Sequence, residues 1–115
     1  MRIAVTATGK NPEVQVEPRF SRCNYFVIMD MQTGQWEFVP NPRLTPEGRS
    51  GKQVARELAD RKVICVVTGR IGPNVRVALQ AVGIDVYCIG ICGTVREALN
   101  RYREKQLKML EPTCS

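Results

Sequence analysis

A chain of 115 residues, 43% hydrophobic and 24% charged, has the length and composition of one soluble domain with its own core, which excludes a disordered chain and a disulfide-dependent miniprotein. No apolar run approaches the ~20 residues that span a bilayer, and Met1-Arg2-Ile3-Ala4-Val5 passes into Thr and Gly without a signal-peptide apolar region, so a cytoplasmic protein free of the membrane is expected. Seventeen basic residues against eleven acidic give +6, which points to an anionic partner.

Arg2-Ile3-Ala4-Val5-Thr6-Ala7 reads as a short buried strand that ends at Thr8-Gly9-Lys10-Asn11-Pro12. Val14 and Val16 alternate, but Pro12 and Pro18 flank them, so the segment reads as loop. Tyr25–Met31 and Gln35–Val39 form an antiparallel pair around Gln32-Thr33-Gly34, where the glycine supplies the positive φ of a short hairpin. Three prolines and a glycine make 40–48 a loop before Ser50, which with Gln53 caps a helix whose inner face is Val54, Ala55, Leu58 and Ala59.

Val63-Ile64-Cys65-Val66-Val67 is a continuous apolar run, the mark of a strand buried on both faces. A second helix starts at Pro73, presents Val75, Ala78, Leu79 and Val82 to the core, and ends at Gly83. Ile84–Ile89 is a further strand, and Thr94 with Glu97 caps a third helix with Val95, Ala98, Leu99 and Tyr102 on one side. The order β-β-β-α-β-α-β-α predicts a mixed-sheet α/β domain over 1–107, with 108–115 as a C-terminal tail.

If the first strand lies parallel to Val63–Val67, the segments 8–10, 68–74 and 90–94, together with 19–23, meet at the carboxyl edge of the sheet. Two of these open helices, whose free N–H groups and dipoles favour negative charge. Lys10, Arg19, Arg22, Thr68, Gly69, Arg70, Gly72, Asn74 and Gly93 are therefore the candidate binding residues. Of the five cysteines, Cys65 and Cys88 read as buried strand residues and Cys114 as tail, which leaves Cys23 and Cys92 in the loops. An odd, widely spaced set predicts free thiols, and the Cys88/Cys92 spacing is a weak metal motif. With no histidine in the chain, Ser-His and Cys-His catalysis are excluded. Asp30 and Asp85, read at opposite strand ends, make no acid pair, so a non-enzymatic protein is expected.

Met1–Val5, Pro18-Arg19-Phe20-Ser21-Arg22-Cys23-Asn24-Tyr25-Phe26, Val67-Thr68-Gly69-Arg70-Ile71-Gly72-Pro73-Asn74, Ala81–Tyr87 and Gly93–Ala98 together resemble the dinitrogenase iron-molybdenum cofactor biosynthesis family over about residues 1–107. The resemblance implies a ribonuclease H-like fold, five strands in the order 3-2-1-4-5 with the second antiparallel, and three helices. It also implies non-catalytic carriage of an anionic metal–sulfur cluster, of iron-molybdenum-sulfur type or of the molybdenum–copper sulfide type held by the orange proteins of sulfate-reducing bacteria. Cluster donor or acceptor proteins are implied with it. The stretch Pro40–Gly51 lacks the histidine found there in many members, which shifts the expectation to charge, backbone N–H groups and Cys23, the candidate metal ligand. Cys23 stands beside Arg22, whose charge favours a thiolate. A nucleic-acid or phosphate-ligand binding module is the alternative. Against it, the aromatic residues fall in strands, the basic residues are dispersed among acids, and no P-loop or Rossmann fingerprint is present.

Overall fold

The computed structural model describes residues 2–41, 51–89, 93–104 and 108–109. Strands β1 (Arg2–Ala7), β2 (Tyr25–Asp30), β3 (Trp36–Pro40), β4 (Val63–Thr68), β5 (Asp85–Cys88) and β6 (Lys108–Met109) are joined by helices α1 (Gly51–Asp60), α2 (Pro73–Ala81) and α3 (Val95–Arg103). β1, β4 and β5 run parallel, while β2 is antiparallel to both β1 and β3. The expected order 3-2-1-4-5 is present, extended by one strand to 3-2-1-4-5-6. β6 pairs antiparallel with β5 in the segment read as tail. Two residues are too few to show an alternating pattern, and the pairing satisfies backbone groups on the outer edge of β5 that no sequence period reports.

Each parallel strand feeds two cores because its side chains alternate between faces. Ala4, Val66 and Val86 join Phe26 and Ile28 beneath α1 and α2, which contribute Val54, Ala55, Leu58, Val75 and Leu79. Ile3, Val5, Cys65 and Val67 join Val27 beneath α3, which contributes Val95, Ala98 and Leu99. The continuous apolar runs of β1 and β4 are thus explained by cover on both sides.

Local signals set the element ends. Gly34 takes φ +76° and donates its N–H to the Asp30 carbonyl at 2.7 Å. The Asp30 carboxylate accepts from the N–H groups of Gln32 (2.9 Å) and Thr33 (3.3 Å); the Gln32 bond above all holds it below the usual aspartate value. Thr94 caps α3, accepting from the Glu97 N–H at 3.2 Å, and Pro73 opens α2. Ser50, expected to cap α1, lies outside the described residues. Asp30 and Asp85 stand at the same end of the sheet, the amino edge, contrary to the expected opposition. β2 is reversed, so its last residue lies level with the first residues of the parallel strands. β1 and β4 still separate the two acids by three strand spacings, about 14 Å.

Candidate functional site

The segment between β1 and β2 folds back across the carboxyl ends of the strands and ties the edge together. Glu17 donates its N–H to Thr6 at 2.9 Å, and Asn24 donates to Ala7 at 3.1 Å. Phe20 donates to the Arg70 carbonyl at 3.0 Å and Arg70 to that of Pro18 at 2.5 Å, which sets Arg19 directly beside Arg70. This pairing needs Gly69, where a Cβ would stand 2.8 Å from the Pro18 oxygen. Phe20 is buried and packs on Phe26 with ring centroids 5.2 Å apart. A short 3-10 turn, Phe20–Arg22, follows this anchor, and Arg19 and Arg22 on either side of it face solvent. An apolar residue thus fixes the backbone that carries two cations.

The two helix openings at this edge differ. In α3, Val95 donates to the Val14 carbonyl and Arg96 to that of Pro12, both at 2.9 Å, while Glu97 is taken by the cap and Ala98 by the Thr94 carbonyl. The N–H groups of the first turn of α3 are thus engaged, which leaves it no free donor cluster of its own. In α2, Gly72 precedes the helix without a side-chain cap, Pro73 has no N–H, and the first intrahelical bond runs from Arg76 to Gly72 at 3.0 Å. The Asn74 and Val75 N–H groups have no acceptor among the described residues. Nothing lies within 4 Å of where a Gly72 Cβ would stand, so the residue before the helix is open.

Lys10, Arg19, Arg22 and Arg70 are exposed, and none enters an ion pair among the described residues. Three basic residues elsewhere are engaged: Arg2 with Asp30 at 3.8 Å, Arg61 with Glu37 at 3.1 Å, and Arg96 with Glu13. Arg19 pairs with Arg70 shortly before α2, and Arg22 donates its N–H to the Arg19 carbonyl at 3.1 Å. Lys10 instead belongs to the loop that docks on α3, where Gly93 accepts from the Val16 N–H at 2.8 Å. One acid intrudes, since the Glu17 carboxylate accepts from the Arg19 N–H at 3.2 Å.

Thr68 and Cys23 turn inward. Thr68 is 0% exposed, and its hydroxyl lies 3.0 Å from that of Thr6, which donates to the Glu17 carbonyl at 2.7 Å. This pair braces the edge from below and offers no side chain to a ligand. Cys23, expected in a loop as the metal ligand, is also 0% exposed and belongs to the core under α1 and α2. Burial pushes its thiol up to about 12, although Asn41 donates to the sulfur at 3.4 Å and opposes the shift. Arg22 faces solvent and supplies no thiolate-stabilising contact there. Cys65 is pushed to about 12 for the same reason, whereas Cys88 is half-buried at the end of β5. Cys92 lies outside the described residues. No group of three or more Cys, Asp or Glu poised to hold a metal occurs among the described residues.

A raised thiol pKa keeps the neutral form below that value and denies the nucleophilic thiolate at pH 7 to 8. Native protein treated with iodoacetamide and mapped by mass spectrometry should therefore be modified at Cys88 well before Cys23 or Cys65. Modification of Cys23 at the rate of an exposed thiol would contradict the buried placement. Asn41, which holds the Cys23 carbonyl at 2.9 Å as well as its sulfur, was missed in the sequence. Its only signal is a single amide between Pro40 and Pro42.

The sequence model described as dinitrogenase iron-molybdenum cofactor matches residues 1–105. Among solved structures, the apo form of the orange protein from Desulfovibrio gigas is 38% identical, covers 95% of this chain and 92% of its own, and superposes with a TM-score of 0.83. A NifB-like protein from Thermotoga is 32% identical over 99% of this chain and 96% of its own, with a TM-score of 0.85. An uncharacterised protein of Methanocaldococcus jannaschii is 25% identical over 100 residues, 84% of either chain. Among the described residues no helix is long and apolar enough to cross a membrane.

Proposed function

The chain belongs to the dinitrogenase iron-molybdenum cofactor family, and from that premise we propose that it binds and carries, without turnover, an anionic metal–sulfur cluster at the carboxyl edge of its sheet. The observation that carries this reading is the pairing of Arg19 with Arg70, with Arg22 one turn on, close before the uncapped start of α2, none of the three in an ion pair among the described residues. Sulfide-capped metals already have their ligands, so a protein adds charge and hydrogen bonds to the outer sulfur atoms. In this assignment the arginines supply the charge and the Asn74 and Val75 N–H groups the directed donors. Gly72 leaves the approach open, Asn74 adds a side-chain amide, and Lys10 adds charge from the α3 side. Gly69, Gly93 and Thr68 hold the loops in place. Cys23 remains a core residue, so the cargo is held by electrostatics.

A molybdenum–copper sulfide or an iron-molybdenum-sulfur cluster meets this description, exchanged in the cytoplasm with donor and acceptor proteins. Protein isolated anaerobically from its own source is expected to carry molybdenum with copper or iron, acid-labile sulfide, and visible absorption that co-elutes with the chain. Recovery of metal-free protein with a tightly held nucleotide or nucleic acid would overturn the reading.

A further inference from the structure

α2 is apolar on two sides. Val75 and Leu79 enter the core, yet Val77 is 62% exposed and Val82, just past the helix end, 39%. A second apolar face on a helix is ordinarily covered as well, and among the described residues only the Val75 and Leu79 side is. The exposed residues Asn74, Val77, Ala81 and Val82, with half-buried Ala78 among them, recur at i, i+3, i+4, i+7 and i+8, a single stripe along the helix. With Lys52 and Arg56 of α1 they line a groove of about 350 Å³. The two cations stand one turn apart, both are exposed, and neither enters an ion pair among the described residues. Among the described residues no acidic one lines the groove.

We infer that this groove docks an acidic amphipathic helix of a partner protein. Ala78 and Ala81 let a third helix approach closely, Val77 and Val82 bury against its apolar ridge, and carboxylates one turn apart meet Lys52 and Arg56. The charge chooses the occupant. A second copy brings another +6 chain to a cationic wall, which like-charge repulsion disfavours. Asn74 belongs both to this groove and to the start of α2, so the partner sits next to the carboxyl edge. The inference needs only the groove and stands whether or not a cluster binds.

The test titrates ¹⁵N-labelled protein with a synthetic amphipathic helix whose leucine stripe is flanked by glutamates, and with its twin carrying lysines in their place. Shifts confined to 52–56 and 74–82 are expected, with the acidic helix bound about tenfold more tightly than the basic one or better. Val77→Asp, at an exposed position where the fold is retained by circular dichroism, should weaken the acidic helix by about tenfold. Lys52→Glu with Arg56→Glu should reverse the preference between the twins. Equal affinity for both helices, shifts elsewhere, or indifference to Val77→Asp would overturn the inference. So would concentration-dependent self-association lost in Val77→Asp, which gives the groove to a second copy. Pelleting with phosphatidylglycerol vesicles without response to the acidic helix gives it to a lipid surface and is equally fatal.

Discussion

Gly69→Ala is expected to lower the stability of the fold by about 3 kcal/mol, seen as a fall of roughly 10–20 °C in the thermal midpoint of a domain this size. The added methyl meets backbone on the facing segment, with the Pro18 oxygen at 2.8 Å and its Cα at 3.0 Å. No rotamer change can relieve a backbone clash, so the loops must separate. That separation strains the Arg70 to Pro18 hydrogen bond, and with it the bridge between Arg19 and Arg70. Gly72→Ala is the control, since nothing lies within 4 Å of its Cβ position; it should cost about 1 kcal/mol or less, the preference for glycine over alanine before a helix. Differential scanning calorimetry on the two variants checks the ordering. Equal effects would mean that Gly69 is not held by close approach.

What could be read in the sequence was whatever is local. Pro73 and Gly72 mark the start of α2, Thr94 and Glu97 that of α3, and the apolar runs of β1 and β4 announce cover on both faces. These give the run of elements, while the sheet order is what the family resemblance implies, and the meeting of loops at one edge follows once β1 is set parallel to β4. What could not be read depends on partners far along the chain. The first-turn donors of α3 are consumed by Pro12 and Val14, about eighty residues earlier, so capping signals alone could not separate its filled N-terminus from the open one of α2. Cys23 follows two arginines in a loop, and only the packing of Phe20, Phe26 and Asn41 around it shows that its sulfur points inward. The two apolar stripes of α2 are written in Val75, Val77, Leu79 and Val82. Val82 follows Val75 and Leu79 at helical spacing, so periodicity places it in the core, yet past the helix end it is 39% exposed and belongs to the outward stripe.

Replacing Arg19, Arg22 and Arg70 together with glutamine is expected to weaken capture of a reconstituted metal–sulfur cluster by about a hundredfold, whereas Cys23→Ser with Cys92→Ser should change it by less than about threefold. Each arginine at an exposed edge contributes about 1 kcal/mol of charge-assisted contact, and three of them give the hundredfold. The Asn74 and Val75 N–H groups survive in the glutamine variant, so a residual affinity should remain. Added salt should loosen the cluster from the wild type and much less from the glutamine variant, whose attraction no longer depends on mobile charge. The serine variant tests the opposite mode. A cluster with an open metal position needs a thiolate, yet Cys23 is buried with its thiol raised to about 12, so coordination would require both deprotonation and an opening of the core. Anaerobic titration followed by visible absorption, with circular dichroism confirming that both variants remain folded, separates the two. Full binding by the glutamine variant and none by the serine variant would refute the electrostatic assignment, and would mean that the loop carrying Cys23 turns outward when the cluster arrives.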